Sequence, residues 1–499
     1  MRKASGITFP ETAALILPAA TAISIYSHGE FSSRVSLFSA AALFVVLAIS
    51  CAYILKRRRG VHTFVLVALV FILSLLYAES RTRALPIPFG RRVTVGLRLL
   101  SDPRVRGKTL QCNARLLQAG SVRYPRAVRV LFNVGVPKVH LERGAVVRAE
   151  GIFTELPYHR WEGYAHYLKS RGITAVLESY AGGLVVEKRP KPYSPVGVSN
   201  RLKRYIRRVN EGLLLFPHSD FATALLTGNR ETIPNYVMES FKRSGTLHIL
   251  AVSGLHVGFI SLFIFLVMRS FRAPHPLIYI AVGCVTLFYM VFIGDSPSVR
   301  RASLMVLCGT FVFLFDRDRD YINLLAIVFI ILWAVNPLVL LSPGFLLSFA
   351  ATFGILFLVP FLGRLMKRAL PPFFASSLAA SVGVQVYIFP VMLSFFGSFP
   401  YINILANIPI VPLAGLSLAL EICYLLLYPV LLPVAVILSE TNLVVITMIL
   451  RIASMCARVP PLTVERFPPV LIPIYLVAVT ILFLVLFGRI GERRQDAEG

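Results

Sequence analysis

The feature that most constrains this chain is a succession of apolar runs long enough to cross a bilayer, set in two groups on either side of a long polar stretch. Lipid offers no partner to a backbone N–H or C=O, so such runs must be helical. Three fall near 11 to 28, 35 to 55 and 61 to 78. Nine more fall near 246 to 268, 276 to 293, 299 to 315, 321 to 336, 344 to 361, 373 to 393, 405 to 430, 437 to 457 and 470 to 488. The expectation is a polytopic helical membrane protein with about twelve crossings. Pro409, Pro412 and Gly415 mark 405 to 430 as the segment where a re-entrant break is easiest. With 56% of 499 residues hydrophobic and 15% charged, a soluble multidomain protein is excluded. The run from Thr12 to Tyr26, with Ala20-Thr21-Ala22, also has the outline of a secretory signal. A second apolar run follows almost at once, which favours an uncleaved first span.

Short cytoplasmic loops retain Lys and Arg. With the N-terminus inside, sixteen cations fall in inner segments, from Arg2 and Lys3 through Lys56 to Arg59 and on to Arg494, against five in short outer loops. Both termini are therefore expected in the cytoplasm. The polar stretch from Glu79 to Gly245 then faces outwards, with 29 Lys and Arg against 12 Asp and Glu, a net +17 out of +27. Long translocated segments escape the positive-inside rule, so this share asks for an anionic partner.

From about 90 to 190 short runs alternate apolar and polar residues between Gly, Pro and Asp, as in Val93 to Leu99, Leu110 to Leu116 and Ala145 to Gly151. That is the pattern of a small antiparallel barrel of about five strands, OB-like in class, interrupted by one helix near Trp161 to Ser170. A Pro-rich linker leads to an amphipathic helix carrying Arg201, Lys203, Arg204, Arg207 and Arg208, a type that lies on membrane surfaces. The expected organisation is a three-helix membrane region over 1–80, the extracytoplasmic barrel over 81–195 and basic interfacial helices over 196–245. A multi-helix channel region over 246–490 and a short tail over 491–499 complete it. Five of six cysteines lie in apolar runs and only Cys112 in polar sequence, so neither a disulfide framework nor a zinc spacing is offered.

The most distinctive segment runs from Thr227-Gly228-Asn229-Arg230 through Phe241-Lys242-Arg243-Ser244-Gly245-Thr246-Leu247-His248 to Val252-Ser253-Gly254-Leu255-His256-Val257-Gly258. It resembles the signature of the ComEC family, polytopic proteins that carry transforming DNA across the bacterial cytoplasmic membrane during competence. Further blocks of the same kind follow in order: Gly294 to Ala302, Pro343 to Ala351, Gln385 to Pro390, and Phe396-Gly397 through Asn407-Ile408-Pro409. The resemblance covers nearly the whole chain and implies a channel for single-stranded DNA. It also implies partners: a helix-hairpin-helix DNA receptor, a cytoplasmic ATPase, a separate nuclease, and further copies of the chain as a homo-oligomer. Three departures stand out. Asn229 replaces a usual Asp, Leu346 replaces a usual Gln, and no metallo-β-lactamase-like domain follows before Gly499. The expectation is thus a form lacking that domain, with no hydrolytic metal site, no cofactor and no enzymatic activity.

Moving a polyanion through a bilayer needs an outer collecting surface and a hydrated polar path. For the surface, Arg123, Arg126, Arg129, Arg160, Trp161, Lys169 and Arg171 are the candidate DNA contacts on the barrel. Tyr158, Trp161, Tyr164 and Tyr167 recur every three residues, either as a base-stacking platform or as the packing face of a helix on its own barrel. For the path, His248, Ser253 and His256 share one face if 246 to 268 is an unbroken helix, and Gly254 permits close packing or a local break. Asp295, Arg300 and Arg301 sit at an outer loop, as a phosphate contact or an interfacial ion pair. Gln385, Asn407 and Pro409 complete the candidate path residues, while Glu421 and Arg451 fall near the middle of consecutive spans and could pair with each other, a structural role favoured over path lining. No Gly-x-x-x-x-Gly-Lys-Ser/Thr loop is present, so a driving force must come from outside the chain. Two alternatives stay open: a membrane-embedded hydrolase or transferase on an envelope polymer or lipid, and a non-catalytic envelope scaffold.

Overall fold

The computed structural model describes most of residues 87–482; residues 1–86, 157–166, 315–323, 333–338 and 483–499, with several stretches of one to three residues, lie outside the described part. The three N-terminal spans, much of 321 to 336 and the end of 470 to 488 therefore fall outside it.

Among the described residues eight strands form one sheet: β1 (Arg92–Leu99), β2 (Arg104–Arg106), β3 (Thr109–Ala119), β4 (Val122–Arg123), β5 (Arg129–Gly135), β6 (Val146–Thr154), β7 (Ile173–Ser179) and β8 (Val185–Lys188). Five of them make a closed path, β1-β3-β5-β7-β6, and β6 returns to β1 with Arg92 opposite Ile152 and Arg98 opposite Val146. Closure removes the free edges that a small sheet would otherwise expose. All contacts on the path are antiparallel except β5 with β7. The short β2, β4 and β8 are appended to β3 and β6. Alternation puts Val95, Leu97 and Leu99, Val130, Phe132 and Val134, and Val147 and Ala149 inside, each at most 1% exposed. Gly151 is needed where β6 meets β7, since a Cβ there would sit 2.5 Å from the Glu178 carbonyl oxygen. Cys112 lies in this core as a free thiol, and burial, helped by Asp102, pushes it up to about 12. Of the helix expected at Trp161 to Ser170, the described part is helical from Tyr167 to Ser170.

The helices are α1 (Pro195–Leu213), α2 (His218–Thr227), α3 (Asn235–Arg243), α4 (Leu247–Leu250), α5 (Gly254–Ser270), α6 (His275–Ile293), α7 (Pro297–Leu314), α8 (Pro343–Phe357), α9 (Val359–Met366), α10 (Pro372–Phe396), α11 (Asn403–Leu427) and α12 (Leu432–Cys456). Two compact units are present. One comprises residues up to 204 with 268–342, and the other 205–267 with 343–499.

In the first unit the barrel is joined to α6 by buried polar contacts. Arg143, 4% exposed, donates from Nη2 to the Val291 carbonyl (2.7 Å) and from Nη1 to that of Phe292 (3.3 Å), so a cation caps the C-terminal carbonyls of α6. Ser199 Oγ donates to the same Phe292 carbonyl, and Asn200 Nδ2 to the Arg143 carbonyl. Lys203 Nζ, largely buried, bonds Asp102 at 2.6 Å; burial pushes its ammonium down and Asp102 partly restores it. α6 packs along α7, with Tyr279 stacked on Phe313 at 4.8 Å.

In the second unit α8 and α10 approach closely, because a Cβ on Gly354 would overlap the Gly383 carbonyl. α11 and α12 form a long hairpin, and α10 packs beside α11.

Among the described residues four helices, α6, α10, α11 and α12, are long and apolar enough to cross a membrane. A fifth is added if α8 and α9, bent by 48°, are one span. The protein is a membrane protein with a barrel domain; four or five of the twelve expected crossings are found among the described residues, and the three N-terminal ones lie outside them. Two expectations change. The 344 to 361 run bends at Leu358 instead of passing straight through. The 246 to 268 run is broken between α4 and α5. The 405 to 430 run, counted as a crossing although its prolines make a break easy, is one helix to Leu427 with both prolines inside it. Proline removes one N–H and leaves the rest of the ladder intact, and neighbouring helices accommodate the freed carbonyl.

Candidate functional site in the 227–258 hairpin

α2 ends at Thr227, and Gly228 takes the left-handed conformation (φ 73°) with its N–H on the Ala224 carbonyl. A Cβ on Gly228 would lie 2.7 Å from Val252 Cγ2, so the turn is packed against the segment that breaks α4 from α5. Asn229 Oδ1 accepts from the Glu231 N–H (3.2 Å), a turn that an amide oxygen forms as well as a carboxylate does. The usual Asp is therefore not needed for this local bond.

After α3, Ser244 and Thr246 are both fully buried and their hydroxyls bond at 2.7 Å. Gly245 between them has φ 74°, and a Cβ there would lie 2.6 Å from Pro400 Cγ and 2.9 Å from Asn403 Cβ. Asn403 Nδ2 donates to the Gly245 carbonyl at 2.9 Å, and His248 Nδ1 lies 3.3 Å from the same oxygen. The turn is thereby tied to the start of α11 from a distance of 158 residues in sequence.

α4 stops at Leu250, and Ser253 stands immediately before α5. Its Oγ accepts from the Leu255 N–H (3.3 Å), while its own N–H donates to His256 Nδ1 (3.2 Å). This is a reciprocal capping box in which His256 takes the place usually held by Glu or Gln. The spacing Ser-x-x-His thus has a local cause: it satisfies two of the donors that open a helix. His256 is 2% exposed, and His248 is exposed on α4. Consequently His248, Ser253 and His256 do not share one face of an unbroken helix, which corrects the expectation from spacing. Gly254 is the exposed first residue of α5, at the break rather than at a packed crossing.

Gly294 has φ 86°, and a Cβ on it would overlap the Arg143 guanidinium, so this glycine makes room for the cap on α6. Arg301, 2% exposed, donates from Nη2 to Ser298 Oγ (3.3 Å), and Arg300 is half-buried on the same helix. Asp295 lies outside the described residues. Gln385 is buried in α10, and Asn407 and Pro409 are half-buried in α11, with Asn407 Oδ1 lacking a partner.

On the barrel, Arg123 is exposed at β4. Arg129 Nη1 donates to the Arg171 carbonyl (3.3 Å), and Arg171 Nη1 bonds the Tyr167 hydroxyl (3.1 Å) while lying 5.8 Å from that ring's centre. Arg129, Arg171 and Tyr167 are thus brought together, with Lys169 half-buried beside them in sequence. Tyr167 also packs on Leu131, Leu168 and Ile173, so here the aromatic serves the barrel as well as an arginine. Arg126, Arg160 and Trp161 lie outside the described residues.

A second polar cluster was not legible from spacing. Asn210 on α1 donates from Nδ2 to Glu421 Oε1 (2.9 Å) and to Thr223 Oγ1 on α2 (3.0 Å), and accepts from the Tyr424 hydroxyl (2.7 Å). Asn210, Glu421 and Tyr424 are 0% exposed. Arg451 is exposed on α12, so the Glu421–Arg451 pair does not form. Asn210 gave no signal beyond a polar residue on the apolar side of α1. Arg143 gave none at all, since a cation in a strand connection reads as solvated.

The family model described as Competence protein matches residues 225–489, from the end of α2 through the hairpin and the helices after it. ComE operon protein 3 of Bacillus subtilis (strain 168) is 30% identical over 214 residues, 42% of this chain and 26% of that protein. The uncharacterized protein YcaI of Escherichia coli (strain K12) is 23% identical over 222 residues, 42% of this chain and 29% of that protein. The matched stretch thus covers little more than a quarter of either relative. No solved structure matches.

Proposed function

Because this chain belongs to the competence protein family, we propose that it takes part in DNA uptake, passing one DNA strand across the cytoplasmic membrane. The observation that carries the reading is the match over 225–489, which contains the capped hairpin and the long apolar helices. Two physical features support it. The polar stretch before the match holds a net +17, suited in sign to a polyanion. A closed five-stranded barrel is also a scaffold on which single strands are bound by stacking and by cations that follow the phosphates. Arg123, Arg129, Lys169 and Arg171 are the described cations we assign to that contact, with Arg126, Arg160 and Trp161 beside them in sequence. In this reading the barrel is extracytoplasmic and both termini are cytoplasmic. A DNA receptor, an ATPase and a nuclease on other chains complete the machinery, and this chain conducts without turning substrate over. Copies of the chain assemble around the path. His256 is engaged in a helix cap and Glu421 by Asn210, so the hydrolase reading gains no observation of its own.

The test has two arms. Deleting the gene in a transformable host should abolish entry of labelled DNA into the cytoplasm while leaving DNA bound at the cell surface. Purified protein should bind oligonucleotides with an affinity that falls steeply between 50 and 200 mM salt. Unchanged entry in the deletion strain sinks the proposal, and a flat salt response removes the barrel from it.

A further inference from the structure

The polar cluster around Glu421 is unlike the rest of the helical unit, because it takes a carboxyl wholly out of water without supplying a cation. On α11, Ser417, Glu421 and Tyr424 recur at helical spacing on one face, and α12 contributes Ser439 and Asn442; all five are 0% exposed. Glu421 Oε1 is occupied by Asn210. Among the described residues Glu421 Oε2 and Ser417 Oγ have no hydrogen-bond partner, and the Asn442 side chain faces the Tyr424 hydroxyl.

Among the described residues, the elements around α11 bring no positive charge to the carboxyl. On α12, Glu440 and Arg451 are exposed. α10 carries one titratable side chain, Tyr387, and no charged one. On α2, His218 Nε2 is engaged with Thr447 Oγ1 at 3.0 Å, and Asp220 would only repel. On α1, Arg207 is paired with Glu211 at 2.7 Å and Arg208 is exposed. Within the cluster Tyr424 is the other titratable group, and its hydroxyl is committed to Asn210.

An ionised carboxylate with one hydrogen bond and no counter-ion is costly in such a place, and the usual response is to take up a proton. We propose that Glu421 is a proton-binding site, holding a proton on Oε2 when the cluster is closed and releasing it when the cluster is hydrated. The bound proton turns Oε2 from an orphan acceptor into a donor, on a helix face where Ser417 Oγ, one turn away, has no partner among the described residues. Uptake is addition of H⁺ from water to the carboxylate and release is the reverse, so no other reactant is involved. The site gives this helix hairpin a neutral and a charged form at a fixed position. It requires nothing of the DNA reading and stands or falls separately from it.

The experiment uses the full chain in lipid vesicles. Infrared difference spectra between wild type and Glu421→Gln should show one protonated-carboxyl C=O band in the wild type, near neutral pH and in sodium-free buffer. That band should be lost in the variant, and Gln should preserve protein abundance because it keeps the oxygen that accepts from Asn210. An apolar carbodiimide, which attacks protonated carboxyls, should label the peptide containing Glu421 more strongly at low pH than at high pH. A carboxylate band in place of the acid band overturns the proposal, whatever the labelling shows. An acid band that appears only on withdrawing sodium overturns it in favour of a cation site.

Discussion

Replacing Gly294 by Ala tests how the barrel is joined to α6. The backbone at Gly294 (φ 86°, ψ −132°) lies in a region that L side chains rarely adopt, which costs about 1–3 kcal/mol. The added methyl also overlaps the Arg143 guanidinium, whose Nη1 bonds the Phe292 carbonyl at 3.3 Å and whose Nη2 bonds Val291 at 2.7 Å. Displacing Nη1 forfeits one charge-assisted hydrogen bond in a nearly dry site, about 1.5–3 kcal/mol. The single variant should therefore lose roughly 2.5–6 kcal/mol in total, the sum of those two ranges. A double-mutant cycle separates the two parts. In an Arg143→Ala background there is no guanidinium to displace, so Gly294→Ala should cost only the backbone strain. The cycle should then give a coupling of about 1.5–3 kcal/mol, with the double variant more stable than the sum of the singles predicts. The assay is reversible unfolding of the full chain in mixed micelles with a denaturing detergent, followed by tryptophan fluorescence or circular dichroism. Additive losses, with coupling below about 0.5 kcal/mol, would refute the idea that Gly294 exists to admit Arg143.

Four further outcomes are expected. Ser253→Ala should destabilise the start of α5 by about 1 kcal/mol, seen as faster proteolysis near residue 253. His256→Gln should keep membrane abundance because Gln can accept from the Ser253 N–H, whereas His256→Leu should lower it; equal losses in both would discard the capping box. Gly245→Ala should reduce abundance strongly, since its Cβ would press on Pro400 and Asn403 in a left-handed turn, and normal levels with normal proteolytic resistance would contradict that packing. For pH, the folded barrel holds the Cys112 proton up to about 12, whereas the unfolded thiol releases it near the ordinary thiol value of 9.0. Stability linked to this group is complete below pH 9 and declines as pH rises towards 12, by up to about 4 kcal/mol. Unfolding measured across that window should have a steeper alkaline slope in the wild type than in Cys112→Ala, and parallel slopes would remove Cys112 as the cause.

What the chain determines locally, its sequence displays. Alternation of apolar residues marks β1, β3 and β6, because in a strand every second side chain faces the core. The apolar runs at 276 to 293, 373 to 393 and 437 to 457 correspond to α6, α10 and α12, because a bilayer-length apolar stretch has only the helix open to it. The ComEC resemblance, read from the 227–258 residues, is matched by a family model over more than half the chain. Partner choice is a different matter. Ser253 and His256 were legible as a motif but not as a capping box, because the same spacing also fits one face of a continuous helix. Glu421 was visible as a mid-membrane carboxyl, yet its partner is Asn210, 211 residues away, and not the nearer Arg451. Arg143 capping α6 and the closure of β6 on β1 likewise bring together groups far apart in sequence. Periodicity states which face of an element avoids water. Which buried polar group meets which is decided by how the elements pack, since each must find a partner in three dimensions, and only the tertiary structure settles that.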